Sequence, residues 1–422
     1  MDSLYYYDCK EIREERKKAP APNRFHTSGI PANRTRLIIP AANCSCRTNG
    51  GSNKMKFSCT KTALQEAISA AGRAVASKST IPALEGLLIN ADETLRITGF
   101  NLDLGITCTV EADITDPGVA VFNAATFTDI VQKLPNDIVF IEVDEDYRIS
   151  VRCGIARFSL IAMPNDEFPE LPVVDDGEGL TIESDTLRSM INQTVFSVSI
   201  LDTKPVLTGV LFEVSDMVFR AVASDSSRLA VREEKITETD DENKKFSFIV
   251  PSGALREVEK LLKKDDSLVK LRISKKHMTV HNATSSLVTR LLEGQFIKYE
   301  HFLTFAHANC VTVNREAFAE SVARMDVKNS DRVKNSIRCR FEDGIIRFNY
   351  VSSRVTGYDE CSYEGECEPI EIGLSNRFMS DALHAIEDEK IRLCFNSPSS
   401  PFVIKPPEGD TYQYIIAPVR LS

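Results

Sequence analysis

The sequence predicts an α+β fold made of three tandem repeats, each a domain with two helices lying on an antiparallel sheet. Three observations predict it. The order helix, hairpin, helix, hairpin recurs three times after Met55. Landmarks recur with a period of about 123 to 128 residues, Gly86 answered by Gly209 and Phe168 by Phe296. The strand runs alternate apolar and polar side chains with the period of two that a sheet with one buried face requires.

In the first repeat, Met55-Lys56-Phe57-Ser58-Cys59 leads into a helix with a capping box at Thr62-x-x-Gln65 and apolar Leu64, Ile68, Ala71 and Val75 at helical spacing. Leu87 and Ile89 then pair with Leu95 and Ile97 across Asp92-Glu93-Thr94. Phe127, Ile130, Val131 and Leu134 mark a second helix stopped by Pro135, and Val139, Ile141 and Val143 pair with Tyr147, Ile149 and Val151 across Asp144-Glu145-Asp146. The second repeat restates this order. Its helix carries Leu187, Met190, Ile191 and Val195, and Phe212 and Val214 pair with Phe219 and Ala221. Leu255, Val258, Leu261 and Leu262 form its second helix, and Val269, Leu271 and Ile273 pair with Met278 and Val280. In the third, from about Val311, one helix holds Phe318, Val322 and Met325. Its hairpin runs from Ile337, Cys339 and Phe341 through Glu342-Asp343-Gly344 to Ile346, Phe348 and Tyr350. Phe378, Leu383 and Ile386 mark the last helix, before strands around Leu393 and Ile404. The expected boundaries are 1–54 for a leader and 55–175, 176–305 and 306–422 for the domains. Three equivalent units in a row make an arc with two unlike ends, and two chains joined head to tail close a ring without exposed sheet edges.

Composition sets the exclusions. The chain has 422 residues, 42% hydrophobic and 27% charged, too apolar for disorder, with 51 basic against 61 acidic residues and a net charge of −10. That acidity argues against a protein that coats nucleic acid through excess positive charge. No apolar run approaches membrane-spanning length. The first 54 residues differ: ten basic and five acidic side chains, Pro20, Pro22, Pro31 and Pro40, and the ending Asn49-Gly50-Gly51-Ser52-Asn53 read as a disordered extension, with Met55 as the expected biological start. Removing those charges from the totals leaves 41 basic and 56 acidic residues, a net −15. Cys44 and Cys46 lack a second ligand pair, and Cys59, Cys108, Cys153, Cys310, Cys339, Cys361, Cys367 and Cys394, scattered among strand runs, read as reduced core thiols.

Catalytic signatures are missing: no G-x-x-x-x-G-K-[ST] loop, G-x-S-x-G elbow, G-x-G-x-x-G or H-E-x-x-H is present. His277 and His281 fall on a strand run, which separates them too far for one metal. Asp144-Glu145-Asp146, Asp240-Asp241-Glu242 and Asp265-Asp266 read as turn chemistry. Asp225-Ser226-Ser227-Arg228 has hydroxyls and a carboxylate but no neighbouring histidine to activate a nucleophile.

The triple repeat, Met55-Lys56-Phe57, Ile81-Pro82-Ala83-Leu84, Phe158-Ser159-Leu160, Ala223-Ser224-Asp225-Ser226-Ser227-Arg228-Leu229 and Tyr414-Ile415-Ile416-Ala417-Pro418-Val419-Arg420-Leu421 together resemble the bacterial DNA polymerase III β subunit, the sliding clamp. The resemblance covers residues 55–422. It implies a non-catalytic, cofactor-free processivity factor: a head-to-tail homodimeric ring around duplex DNA, without sequence preference. It also implies a bacterial cytoplasmic protein, nucleoid-associated during replication, with the polymerase III α subunit, the clamp loader and other clamp-binding-motif proteins as partners. A sliding tether needs loose phosphate contacts and no base reading. Helical or near-helical Lys61, Arg73, Lys133, Arg188, Arg256, Lys260, Lys263, Lys264, Arg315, Arg324 and Arg377 offer such a lining. By resemblance, Lys78, Thr203, Lys204 and Val206 join Arg73 as DNA contacts, although Leu201, Pro205 and Val206 stand where the family often has aromatic or amide groups. The implied groove for a glutamine-containing extended partner peptide is Leu207, Ser224, Ser226, Arg228, Leu229, Ile297, Phe302, Ser400, Ile415, Ala417, Pro418, Val419 and Arg420. Ile297 replaces the family's usual proline and Ala417 its common methionine, which bears on peptide preference. Ring closure is expected where Arg157, Phe158 and Leu160 meet Ala323 and Met325, with Asp359, Glu360 and Glu364 opposite Arg157. The alternative is an enzyme or regulatory scaffold that keeps the clamp fold, distinguished by turnover dependent on Asp225 or Arg228 and by failure to bind a partner peptide.

Overall fold

The computed structural model describes residues 54–174, 177–201, 203–236, 238–240, 245–304, 306–327, 336–352 and 354–421. The expectations for the leader with Cys44 and Cys46 and for Asp241 and Glu242 lie outside them.

The first repeat runs β1 (Met55–Thr60), α1 (Lys61–Ala71), β2 (Gly86–Ala91), β3 (Leu95–Phe100), β4 (Leu104–Val110), β5 (Asp113–Asp116), β6 (Gly118–Asn123), α2 (Ala124–Lys133), β7 (Ile138–Val143), β8 (Arg148–Cys153) and β9 (Ala156–Ile161). The second has β10 (Glu178–Glu183), α3 (Ser184–Val195), β11 (Gly209–Ser215), β12 (Val218–Ser224), β13 (Arg228–Lys235), β14 (Glu238–Thr239), β15 (Phe246–Pro251), α4 (Ser252–Leu261), β16 (Leu268–Ile273), β17 (His277–His281) and β18 (Ser285–Arg290). A linker with the single turn α5 (Glu300–Leu303) leads to the third: β19 (Asn309–Asn314), α6 (Arg315–Arg324), β20 (Ser336–Glu342), β21 (Ile345–Val351), β22 (Thr356–Ser362), β23 (Ile370–Ser375), α7 (Asn376–His384), β24 (Lys390–Phe395), β25 (Phe402–Lys405) and β26 (Tyr412–Ile416).

Side-chain alternation explains which face each strand buries. Val139, Ile141 and Val143 of β7 are buried while Ile138, Phe140 and Glu142 are exposed, and β8 and β16 repeat the pattern. The helices α1 and α2, α3 and α4, and α6 and α7 pack as pairs over the buried faces. Asn123 and Asn314 cap α2 and α6 through their side-chain oxygens. The first helix departs from expectation. Thr60, not Thr62, is its cap, because β1 stays paired with β7 through Thr60 and the helix begins at the next residue. Thr62 instead donates to Asn136 Oδ1 at 2.9 Å, and the chain leaves α1 at Ala71 for a 3₁₀ turn over Gly72–Ala74 before Val75.

The sheets cross the repeat boundaries. A nine-stranded sheet, β14-β10-β16-β17-β18-β4-β3-β2-β6, joins the first two repeats through β4 and β18. An eight-stranded sheet, β15-β11-β12-β13-β26-β25-β24-β19, joins the second and third through β13 and β26. A five-stranded sheet ends in β9 and a four-stranded sheet in β22, and among the described residues neither edge has a further strand partner.

One cysteine expectation is corrected. Cys310 and Cys394 are directly opposed on β19 and β24 and form a disulfide, while Cys59, Cys108, Cys153, Cys339, Cys361 and Cys367 are free. The two are 84 residues apart in sequence, so only strand register brings them together. Burial pushes the Cys59 thiol up to about 12 and the Cys108 thiol up to about 11, so both stay protonated and inert at neutral pH.

Candidate functional site

Several of the residues expected to line a groove gather around the turn between β12 and β13. Asp225 Oδ1 accepts the N–H groups of Ser227 at 2.9 Å and Arg228 at 3.1 Å, an Asx turn that holds Ser226 at φ 74°. Ser226 N–H donates to Ser224 Oγ at 3.1 Å, and the Ser224 hydroxyl donates to the Arg228 carbonyl at 2.7 Å. The C-terminal tail closes one side: Ala417 N–H donates to Ser227 O at 2.9 Å and Val419 N–H to Gly373 O at 2.7 Å. Leu229 faces Ile415 across the β13–β26 pair. Both belong to an apolar cluster with Leu211, Val222, Val231, Ile249, Tyr299, Cys394 and Val403, and half-buried Val206, Phe296, Phe302 and Leu303 pack on it. Leu207 is buried just before β11, Ile297, Ser400, Pro418 and Val419 are half-buried, and Ala417 and Arg420 are exposed.

Arg228 is placed differently from the sequence expectation. It points to the opposite face of β13 from Leu229 and is buried. Its Nε donates to Asp225 Oδ2 at 3.0 Å, its Nη1 to Asp381 Oδ2 at 2.6 Å and its Nη2 to the Phe196 carbonyl at 2.7 Å, with the Phe378 ring 4.5 Å from the guanidinium carbon. Its polar groups are committed to a rivet between α3 and α7. It therefore holds the turn from beneath, with its polar groups taken up within the chain.

The basic residues divide. Arg73 Nε lies 2.7 Å from Glu257 Oε2, a charge contact between the first two repeats that lacks hydrogen-bond geometry and neutralises the expected DNA contact. Lys133, Arg188, Lys260, Arg324 and Arg377 also face carboxylates within 4.0 Å, and Arg315 Nε donates to the Asp388 carbonyl. Lys78, Thr203 and Lys204 are exposed, whereas Val206 is half-buried and packs on the apolar cluster with Leu229 and Ile415. Among the described residues, Lys61, Lys78, Lys204, Arg256, Lys263 and Lys264 have no carboxylate within ion-pair distance.

The residues expected at the seam lie on the edge strand β9 and at the C-terminal end of α6, beside β22. Arg157, Phe158 and Leu160 are on β9, where Phe158 is 39% exposed and Ile161 78%. Ala323 is exposed at the end of α6, and Met325 is buried beneath β22, its sulfur 3.2 Å from where a Cβ on Gly357 would sit. The sequence reading missed β22 itself, with Tyr358 59% exposed beside Val351 at 65%. The signal was the alternating run from Thr356 to Ser362, hidden by its exposed polar half.

Sequence reasoning also missed a linker anchor. The Tyr299 hydroxyl donates to Glu213, Arg220 Nη1 donates to the Tyr299 oxygen at 3.2 Å and Arg220 Nε to Glu233 Oε1 at 2.6 Å. Burial, with Glu213 beside it, pushes the Tyr299 phenol above its ordinary range, so it remains a donor.

Comparison with known proteins now bears on this geometry. Residues 55–172, 181–298 and 304–420 match, in order, the N-terminal, central and C-terminal domains of the DNA polymerase III β subunit. A β sliding clamp from Bacillus subtilis (strain 168) is 30% identical over 378 residues, covering 87% of this chain and all (100%) of that protein. This chain belongs to the DNA polymerase III β subunit family. The β sliding clamp of Halalkalibacterium halodurans is 29% identical over 82% of this chain and 95% of its own length. Among solved structures, the Bacillus subtilis polymerase sliding clamp superposes with a TM-score of 0.83 at 30% identity, covering 87% of this chain and 100% of that one. A Pseudomonas aeruginosa sliding clamp bound to griselimycin gives 0.82 at 25% identity, covering 88% of this chain and 100% of that one.

Proposed function

We infer that this chain is the family's non-catalytic processivity factor. Two copies close head to tail into a ring around duplex DNA and tether the replicative polymerase and other replication and repair proteins, in the bacterial cytoplasm and at the nucleoid during replication. One observation carries the ring: the open edges occupy the positions whose counterparts already pair. In the first repeat a row of opposed residues runs Phe57, Ile141, Val151, Phe158. Its counterparts are Leu180, Leu271, Val280, Leu287 and Val311, Leu393, Ile404, Tyr414. Leu287 faces Ile106 and Tyr414 faces Ala230 across the two internal junctions. Ile106 and Ala230 each follow the residue that closes the turn with Phe100 or Ser224, and on β22 that place belongs to Gly357, after Thr356 closes with Val351. Phe158 of one copy thus faces Gly357 of the other, where the missing Cβ leaves the ring over Met325. Arg157 then shares a face with Tyr358 and Glu360, while Asp359 stays on the other face with Arg324, whose Nε is 2.6 Å from its carboxylate.

The groove between the turn at Asp225, the tail at Ala417 and the linker at Phe302 is the proposed seat of partner peptides, with apolar Leu229 and Ile415 as the floor. Exposed Lys78 and Lys204, with unpaired Lys61, Arg256, Lys263 and Lys264, are the proposed loose phosphate contacts. Sedimentation should give a species of about twice the 47.0 kDa chain mass. The protein should be retained on circular DNA and run off linear DNA. Phe158→Asp should abolish both, and a wild-type monomer held equally by circular and linear DNA would refute the ring.

A further inference from the structure

A straight row of directly opposed residues leads from the groove to the edge of the eight-stranded sheet. Leu229 faces Ile415, Ile415 faces Val403, Val403 faces Cys394, and Cys394 faces and is bonded to Cys310. Strands lie about 4.8 Å apart, which puts Cys394 about 10 Å from Ile415. The two residues sit in unlike surroundings. Cys394 is buried in the apolar cluster that holds Leu229 and Ile415, whereas Cys310 is exposed on β19, the last strand of the sheet beside β24, with a single bridge from Thr312 to Glu364 on its outer side. β19 is also the end of the linker whose Phe302 and Leu303 pack on the groove cluster. β19 itself is paired with β24 from Asn309 to Asn314, and the linker end just before it is held by Asn396, whose Nδ2 donates to Ala306 O at 2.8 Å and whose Oδ1 accepts the Ala308 N–H. The six free cysteines described are buried, or in the case of Cys367 half-buried, whereas residue Cys310 of the bonded pair is exposed.

We propose that Cys310–Cys394 is a thiol–disulfide exchange site that sets the affinity of the partner-peptide groove, an inference that rests on the groove reading above. The co-reactant is a dithiol. One of its thiolates attacks the Cys310 sulfur and the Cys310–Cys394 bond breaks. Cys394 leaves with the electron pair and takes up a proton. The dithiol's second thiolate attacks the mixed disulfide and releases Cys310, which is protonated in turn. Two electrons and two protons pass to the protein, and the dithiol becomes a disulfide. In the bonded state β19 is stapled to β24 and the linker presents Phe302 and Leu303 already ordered. In the reduced state the peptide must order that segment when it binds, which weakens affinity by about three- to tenfold.

The test uses the full chain purified without reductant and a fluorescein-labelled, glutamine-containing polymerase tail peptide. Maleimide mass-tagging with peptide mapping should label Cys310 and Cys394 only after dithiothreitol treatment. Fluorescence anisotropy should show the dissociation constant rising about three- to tenfold on reduction and recovering on reoxidation with oxidised glutathione. Cys310→Ser and, separately, Cys394→Ala should bind with the reduced-state affinity and lose the response to dithiothreitol. Full tagging of both cysteines without reductant, equal affinity in both redox states, or a response that survives in both variants would overturn the proposal. Absence of peptide binding in either state would overturn it together with the groove reading, and the tagging result would still show separately whether the bond forms.

Discussion

The two internal junctions share a backbone plan and differ in what fills it. At the first, Asn101 Oδ1 accepts the N–H groups of Asp103 and Leu104, and Arg290 N–H donates to Asp103 O at 2.9 Å. At the second, Asp225 makes the same turn and Ala417 N–H donates to Ser227 O at the same 2.9 Å. Leu102 at φ 77° and Ser226 at φ 74° occupy the same left-handed position. The rows that cross the two junctions differ: Gly105, Val288, Thr279, Arg272 and Gly179 at the first, and Leu229, Ile415, Val403, Cys394 and Cys310 at the second. At the first, Leu171 of the linker covers the space above Gly105. Where the row is apolar, the same fold offers a floor for a partner; where it is glycine and polar groups, the linker seals it.

The largest effect should come from the rivet found only at the second junction. Arg228→Ala leaves Asp225, Asp381 and the Phe196 carbonyl without their donor and should cost about 3 kcal/mol in urea denaturation, at the lower end for a buried pair because Asp381 is partly exposed. Leu104→Ala, its counterpart at the first junction, should cost about half as much, through lost packing alone. Gly105→Leu should cost about 2 kcal/mol by overpacking, since even a Cβ there would lie 2.9 Å from Leu171 Cδ2 and Val288 Cγ1. If it were neutral, the first junction would be looser than drawn.

Ser226→Gly and Leu102→Gly should each stabilise the protein by about 0.5–1 kcal/mol, because a left-handed backbone costs a side chain more than glycine's extra freedom. A loss of stability at either position would show that its side chain makes contacts worth more than the strain. The smallest effect concerns the third, intermolecular junction. Burial raises the Asp359 carboxyl, but hydrogen bonds from Arg324, the Glu360 backbone and Ser321 outweigh it and leave it below its ordinary 3.8. A depressed carboxyl contributes stability that is complete above that ordinary value and lost as pH falls through the folded one. Stability of the chain to urea should therefore fall with this group only below about pH 4, and Asp359→Asn should flatten that dependence.

Much of this was legible in the chain because it rests on local chemistry. Alternating Val139, Ile141 and Val143, helical Leu187, Met190 and Ile191, and the turn at Asp92 all sit where the periodicity put them, since burial of one face is dictated residue by residue. The gathering of Leu229, Ile415 and Phe302 was legible only through resemblance, as they lie on three separate segments.

By itself, then, the sequence determined the helices, strands and apolar faces, which follow from neighbours a few residues apart, and the repeat and the family, which follow from the order of those local patterns along the chain. Tertiary structure decided the rest. Sheets that continue across repeat boundaries, Arg228 turned beneath the groove, Arg73 spent on Glu257 and Cys310 set against Cys394 all depend on register between strands or helices many residues apart. A shift of one residue in strand register would turn Arg228 or Cys310 to the opposite face, so periodicity could name the faces but not the partners.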